Sequence, residues 1–153
     1  SNSPPMTTLE TALFDTGRCL LIAPPNAPPS LAKNVVIAWN GSSETARTIG
    51  LSIPLLGLAE QVTVVTVDTG VVTGPDGGSV VNYLARHGIK AERDDVAAGS
   101  RGAGQAMLDE AARLGGDLLV KGGYTRSRLR QTIFGGPTSH ILANAQVPVI
   151  MAH

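Results

Sequence analysis

Two kinds of block alternate along this chain. Short uninterrupted apolar runs at residues 35–39 (VVIAW), 62–67 (VTVVTV) and 118–120 (LLV) have the form of strands covered on both faces. Between them apolar residues recur at helical spacing: Ala46, Ile49, Ile53 and Leu56, then Val81, Leu84 and Ala85, then Ala103, Met107, Leu108 and Ala111. Asn40-Gly41-Ser42 forms the turn that caps the first helix, Pro54 should kink or shorten that helix near its end, and His87-Gly88 and Gly115-Gly116 stop the other two. The third strand, expected within residues 89–96, carries Lys90, Glu92, Arg93, Asp94 and Asp95, a charge density that belongs at a sheet edge. Gly135-Gly136-Pro137 opens a fourth helix, and residues 147–151 form a fifth strand. Strands alternating with helices predict an α/β fold, a parallel sheet with helices on both faces.

The beginning of the chain follows a different pattern. Residues 1–8 show no periodicity and read as disordered or as a cloning remnant. Residues 9–33 read as one or two helical turns, a stop at Gly17, an apolar strand at 19–23 and a connector, NAPPSLA, whose consecutive prolines continue neither element. Set beside the C-terminus at a constant offset, Phe14 falls on Leu142, Gly17 on Ala145, Arg18 on Gln146, Leu21 on Val149 and Ile22 on Ile150. This echo admits two readings: the last helix and strand of a preceding domain, or a coincidental extension. The domain proper spans residues 34–153.

A chain of 153 residues fits one domain of ordinary size. Twelve basic residues balance twelve acidic ones and only 3% of residues are aromatic, so no nucleic-acid platform is expected. Cys19 stands alone, which excludes an internal disulfide or cysteine metal cluster and suits a reducing compartment, by default the cytoplasm. No apolar run approaches the length of about 20 residues that spans a bilayer, and no signal-peptide pattern is present. His87, His140 and His153 lack a metal-ligand spacing, so no metal is expected. Neither a nucleophile elbow nor an acid–base pair is visible, so the chain is expected not to be an enzyme.

Candidate chemistry concentrates in residues 118–151, LLVKGGYTRSRLRQTIFGGPTSHILANAQVPVIM. Backbone amides at a helix N-terminus attract anions and glycines admit close approach of phosphate, although a tight strand-to-helix connection needs the same residues. Arg126, Arg128 and Arg130 suit paired contacts with phosphate or a solvated basic loop, and Lys121 could reach a phosphate or extend to solvent. Asn40 can hydrogen-bond a ligand edge or hold its own turn.

This segment resembles the C-terminal motif of the universal stress protein family: glycine, two residues, glycine, nine residues, then glycine and a hydroxyl residue. Gly122 and Gly135 match the first and third glycines, whereas Thr125 replaces the second and Gly136 replaces the hydroxyl residue. The opening VVIAWNGSSETA resembles the family's first strand and Asp-Gly-Ser turn, with Asn40 in the Asp place. The resemblance implies a five-stranded parallel sheet of order 3-2-1-4-5, with the loops after strands 1 and 4 meeting at the switch point where such sheets bind ligands. It further implies a non-enzymatic stress-response binding and signalling module with an adenine-nucleotide pocket, for ATP or AMP. Asn40, Gly41, Ser42, Val67, Gly122, Thr125, Arg126, Arg128, Gly135 and Gly136 occupy its site positions. The alternative is a stress-protein domain that binds no nucleotide and acts through dimerisation or protein association. The resemblance also places the apolar fifth strand at an open edge, where family members pair across a two-fold axis. Here residues 19–23 are expected to lie antiparallel beside it, within the chain or exchanged between the subunits of a homodimer.

Overall fold

A computed structural model describes residues 6–70, 74–123 and 136–153. Among these residues the elements run α1 (Met6–Asp15), β1 (Leu20–Ile22), β2 (Asn34–Trp39), α2 (Ser43–Leu56), β3 (Gln61–Asp68), α3 (Gly77–Arg86), β4 (Glu92–Ala97), a 3-10 turn (Gly99–Arg101), α4 (Ala103–Arg113), β5 (Leu118–Gly122), α5 (Pro137–Asn144) and β6 (Val149–Ala152). One six-stranded sheet has the order β1-β6-β5-β2-β3-β4. Strands β2 to β6, the five expected from the alternation of strands and helices, pair in parallel. β1 joins β6 antiparallel within the same chain, with Leu20 opposite Met151, Leu21 opposite Ile150 and Ile22 opposite Val149.

The continuous apolar runs are explained by burial on both sides. Val35, Ile37 and Trp39 of β2 face a cluster with Ile49 and Leu56 of α2 and Val80 and Leu84 of α3. Val36 and Ala38 face the opposite cluster, with Met107 and Ala111 of α4 and Ile141 of α5. α1 adds a smaller contact, Leu13 against Met151. The charged strand β4 lies at the open edge of the sheet, where Arg93 and Asp95 are exposed.

The structure departs from the periodicity at several points. α1 starts at Met6, ahead of residue 9, where the sequence pattern begins. α2 continues through Pro54 to Leu56 and then stops, with the Gly57 amide donating to the Ile53 carbonyl at 2.9 Å. Ala46, expected on the inner stripe of that helix, is exposed, and hydroxyls take the inner face: Thr45, Thr48 and Ser52 are buried. Helical periodicity read from apolar residues alone misses such a face, on which the hydroxyls of Thr45 and Thr48 find partners nearby. Thr48 Oγ1 donates to the Glu44 carbonyl at 2.8 Å and accepts from the Ala152 amide at 3.0 Å, tying α2 to the end of β6.

The Pro-rich connector is fastened to the start of β2 by Asp117. Its carboxylate accepts from Ser30 Oγ at 2.6 Å and from the amides of Lys33 and Asn34 at 3.1 and 2.9 Å. The segment linking the edge strand β1 to the central strand is thereby anchored beneath the sheet's amino end.

Candidate functional site

Strand order reverses between β2 and β5, and a cavity of about 410 Å3 opens beyond the carboxyl ends of these strands and of β3. Three features of local structure build it. Gly41, at φ +75°, turns the chain sharply after β2. Gly74, at φ +103°, lets the loop after β3 approach so closely that a Cβ there would stand 2.8 Å from the Gly41 carbonyl oxygen. Trp39, buried at the end of β2, holds the same loop through a 2.8 Å hydrogen bond from Nε1 to the Pro75 carbonyl.

The walls divide by chemistry. Ala38, Trp39, Val67, Met107 and Ile141 supply an apolar slot, and Asp68, Asp76, Arg93 and Asp95 supply a charged margin on the side of β3 and β4. That margin is internally compensated. Arg93 pairs with Asp76 at 2.8 Å and with Asp95 at 2.7 Å. Asp76 also caps α3: hydrogen bonds from the Ser79 amide and hydroxyl, then from Arg93, hold its carboxyl below the usual carboxylate range. Thr66 lines the cavity, and its fully buried Oγ1 has no hydrogen-bond partner among the described residues.

Lys121, at the end of β5, is the most unusual lining group. It is only 7% exposed, and no hydrogen bond or ion pair links its ammonium to another described residue. Burial alone pushes its pKa down, to about 8.

The sequence-derived site residues separate into three groups. Asn40, Gly41 and Val67 line the cavity. Asn40 also serves its own turn, its Oδ1 accepting from Thr45 Oγ1 at 2.7 Å and from the Ser42 amide at 3.2 Å. Ser42, Gly122 and Gly136 are absent from the walls. Ser42 is the N-cap of α2, accepting from the Thr45 amide at 3.2 Å, and Gly136 is the N-cap of α5 at φ +104°. Gly122 is glycine for packing: a Cβ there would meet the Thr45 amide nitrogen at 2.5 Å. Approach of helix α2 thus gives this glycine a packing reason beside the approach of phosphate expected above. Thr125, Arg126, Arg128 and Gly135 lie outside the described residues. Trp39 and Met107 belong to an apolar strand run and a helical stripe, a pattern that does not distinguish cavity wall from core, and no motif singles out Arg93 or Thr66.

No group of three or more His, Cys, Asp or Glu side chains is placed to hold a metal among the described residues, and no described helix is long and apolar enough to cross a membrane.

Compared with known proteins, the sequence matches no family model and no curated protein. Its fold does match solved structures. A universal stress protein from Archaeoglobus fulgidus DSM 4304 superposes with a TM-score of 0.70 at 14% identity, covering 95% of this chain and 55% of that one. The chain thus spans about half the length of that relative. A universal stress protein from Archaeoglobus fulgidus in complex with dAMP gives 0.55 at 18% identity, covering 76% and 94% of the two chains. A universal stress protein in complex with cAMP gives 0.57 at 16% identity, covering 78% and 95%. The chain has the universal-stress-protein fold.

Proposed function

We propose that this chain is a stress-response binding module whose switch-point cavity takes an adenine mononucleotide. The observation that carries the reading is the cavity itself: its volume lies within the range of small-molecule sites, and its apolar walls, Trp39 and Met107 among them, adjoin polar groups at the strand ends. Neighbours of the same fold are complexes with dAMP and cAMP, which supports the ligand class. In this reading the base occupies the apolar part of the cavity and the Asn40 side chain meets a polar edge of the nucleoside. Binding, without chemical turnover, is the output, and the module acts in the cytoplasm as a homodimer formed away from the β6 edge that β1 occupies. The helix–strand pair α1–β1 repeats the order of α5–β6, which supports reading it as the end of a preceding copy in a tandem arrangement.

Calorimetric titration with AMP, cAMP and ATP, together with mass spectrometry of small molecules released from the purified protein, tests the ligand class. Saturable binding of at least one adenine nucleotide is expected. Absence of binding at millimolar concentration would remove the reading in favour of a domain that acts by association alone. One observation favours that second reading: Ser42, Gly122 and Gly136 serve caps and packing and are not cavity walls.

A further inference from the structure

We propose that Lys121 is the charge-selecting residue of the cavity, its ammonium serving as counter-ion to a phosphate group of the ligand between the N-termini of α4 and α5. The proposal rests on the reading of the cavity as a ligand site, and it adds a residue and a selection rule.

Four observations converge. Lys121 lines the cavity and is more than nine-tenths buried. A buried ammonium without a partner is costly, and a bound anion removes that cost. The other cation on the walls, Arg93, already bridges Asp76 and Asp95, so Lys121 is the described lining cation left for a ligand. Ala103 and Pro137, the first residues of α4 and α5, line the same cavity. Both helices begin at a glycine N-cap with positive φ and no side-chain capping hydrogen bond, so both leave their positive ends uncapped by side chains. The two ends are adjacent: a Cβ on Gly104 would stand 3.0 Å from the Pro137 carbonyl oxygen. Glycine at 104 is what allows them to converge on the cavity that Lys121 also lines. The carboxylates of the cavity, Asp68, Asp76 and Asp95, belong to the β3–β4 side. A ligand with a neutral polar moiety and one phosphate therefore has a single favourable orientation, its phosphate directed to Lys121.

The test compares AMP with adenosine by calorimetry on the wild-type chain and on Lys121→Met, which removes the charge while conserving length and apolar character. Adenosine affinity should be unchanged, and AMP affinity should fall by about tenfold to a hundredfold, the range for loss of a charged hydrogen bond. Equal AMP affinity in the two proteins, or equal loss of AMP and adenosine, overturns the proposal. A second measurement needs no variant: acetylation of Lys121 by an amine reagent, followed by peptide mass spectrometry, with and without inorganic phosphate. Where neither AMP nor adenosine binds the wild type, slower acetylation of Lys121 in phosphate ends the nucleotide reading while upholding this one. Acetylation unaffected by phosphate in that case overturns both.

Discussion

Gly122 and Thr45 are in closer apposition than any side chain at position 122 would permit: a Cβ added to Gly122 would lie 2.5 Å from the Thr45 amide nitrogen and 2.6 Å from its hydroxyl. The first turn of α2 rests directly on the end of β5, which brings the Asn40 turn beside that strand. Backbone cannot yield as a flexible side chain does, so Gly122→Val should destabilise the fold by at least the 1–3 kcal/mol typical of overpacking. Thermal denaturation should show a midpoint lower by several degrees or an insoluble product. An unchanged midpoint accompanied by lost nucleotide affinity would restore a ligand-contacting role to this glycine.

Lys121 makes stability depend on pH in a defined direction. Its pKa falls from 10.5 in the free side chain to about 8 in the fold, so between these values the unfolded chain binds a proton that the folded chain does not. Stability of the wild type should therefore rise with pH across that window, and the cost of the buried charge is fully present below pH 8. Lys121→Met abolishes the titration. Denaturant unfolding should find the variant more stable by about 3 kcal/mol near pH 7, with the gap closing as pH approaches 10.5. A gap that stays constant with pH would mean that folding does not shift the Lys121 pKa.

The sheet was legible because its signal is redundant. Each apolar run of a doubly covered strand, each Gly stop and each helical stripe points to the same alternation, and the charged β4 marks one edge by its composition. The resemblance added the strand order, which periodicity cannot supply. The site was less legible. Asn40, Gly41 and Val67 are brought together where the switch-point argument places them, but a glycine in a sequence carries no record of which neighbour requires its missing side chain. Gly122 makes room for Thr45, and Gly104 makes room for Pro137. Lys121 could be weighed from sequence as a strand-end cation, yet nothing in its neighbours along the chain marks it as buried, and in the fold it is only 7% exposed on a cavity wall shared with residues of other elements.

Asp117 concentrates three donated hydrogen bonds on one buried carboxylate, from Ser30, Lys33 and Asn34. Asp117→Ala leaves all three donors without that acceptor at the entrance to the central strand. A loss of about 2–4 kcal/mol is expected, appearing as a fall in thermal midpoint of roughly 5–15 °C. Asp117→Asn keeps an acceptor oxygen and should lose less. Equal loss in the two variants would indicate that charge, rather than the acceptor geometry, anchors the connector.

Trp39 is the single tryptophan of the chain and forms part of the cavity wall. Intrinsic fluorescence therefore reports directly on occupancy. Titration with AMP should quench or shift the emission along the same curve that calorimetry follows. Trp39→Phe should keep the apolar wall but lose the hydrogen bond to Pro75, loosening the loop after β3 and weakening binding by about tenfold or less. Binding seen by calorimetry with no change in emission would place the ligand elsewhere on the protein.

β6 is composed of Val149, Ile150, Met151 and Ala152, all buried, and carries no charge or bulge that would discourage pairing. Its outer side is occupied by only three residues of β1, and Leu13 of α1 covers Met151 from one face. Removing residues 1–25 would strip both elements at once, leaving unpaired backbone groups beside an apolar surface. The truncated chain should self-associate through β6 or lose solubility, which size-exclusion chromatography with light scattering distinguishes. A charge at the β6 position that loss of α1 uncovers, Met151→Lys, should suppress the association in the truncated chain if β6 is the contact. A truncated protein that remains soluble, with the same mass in solution as the full chain, would show that β1 is dispensable as a cover.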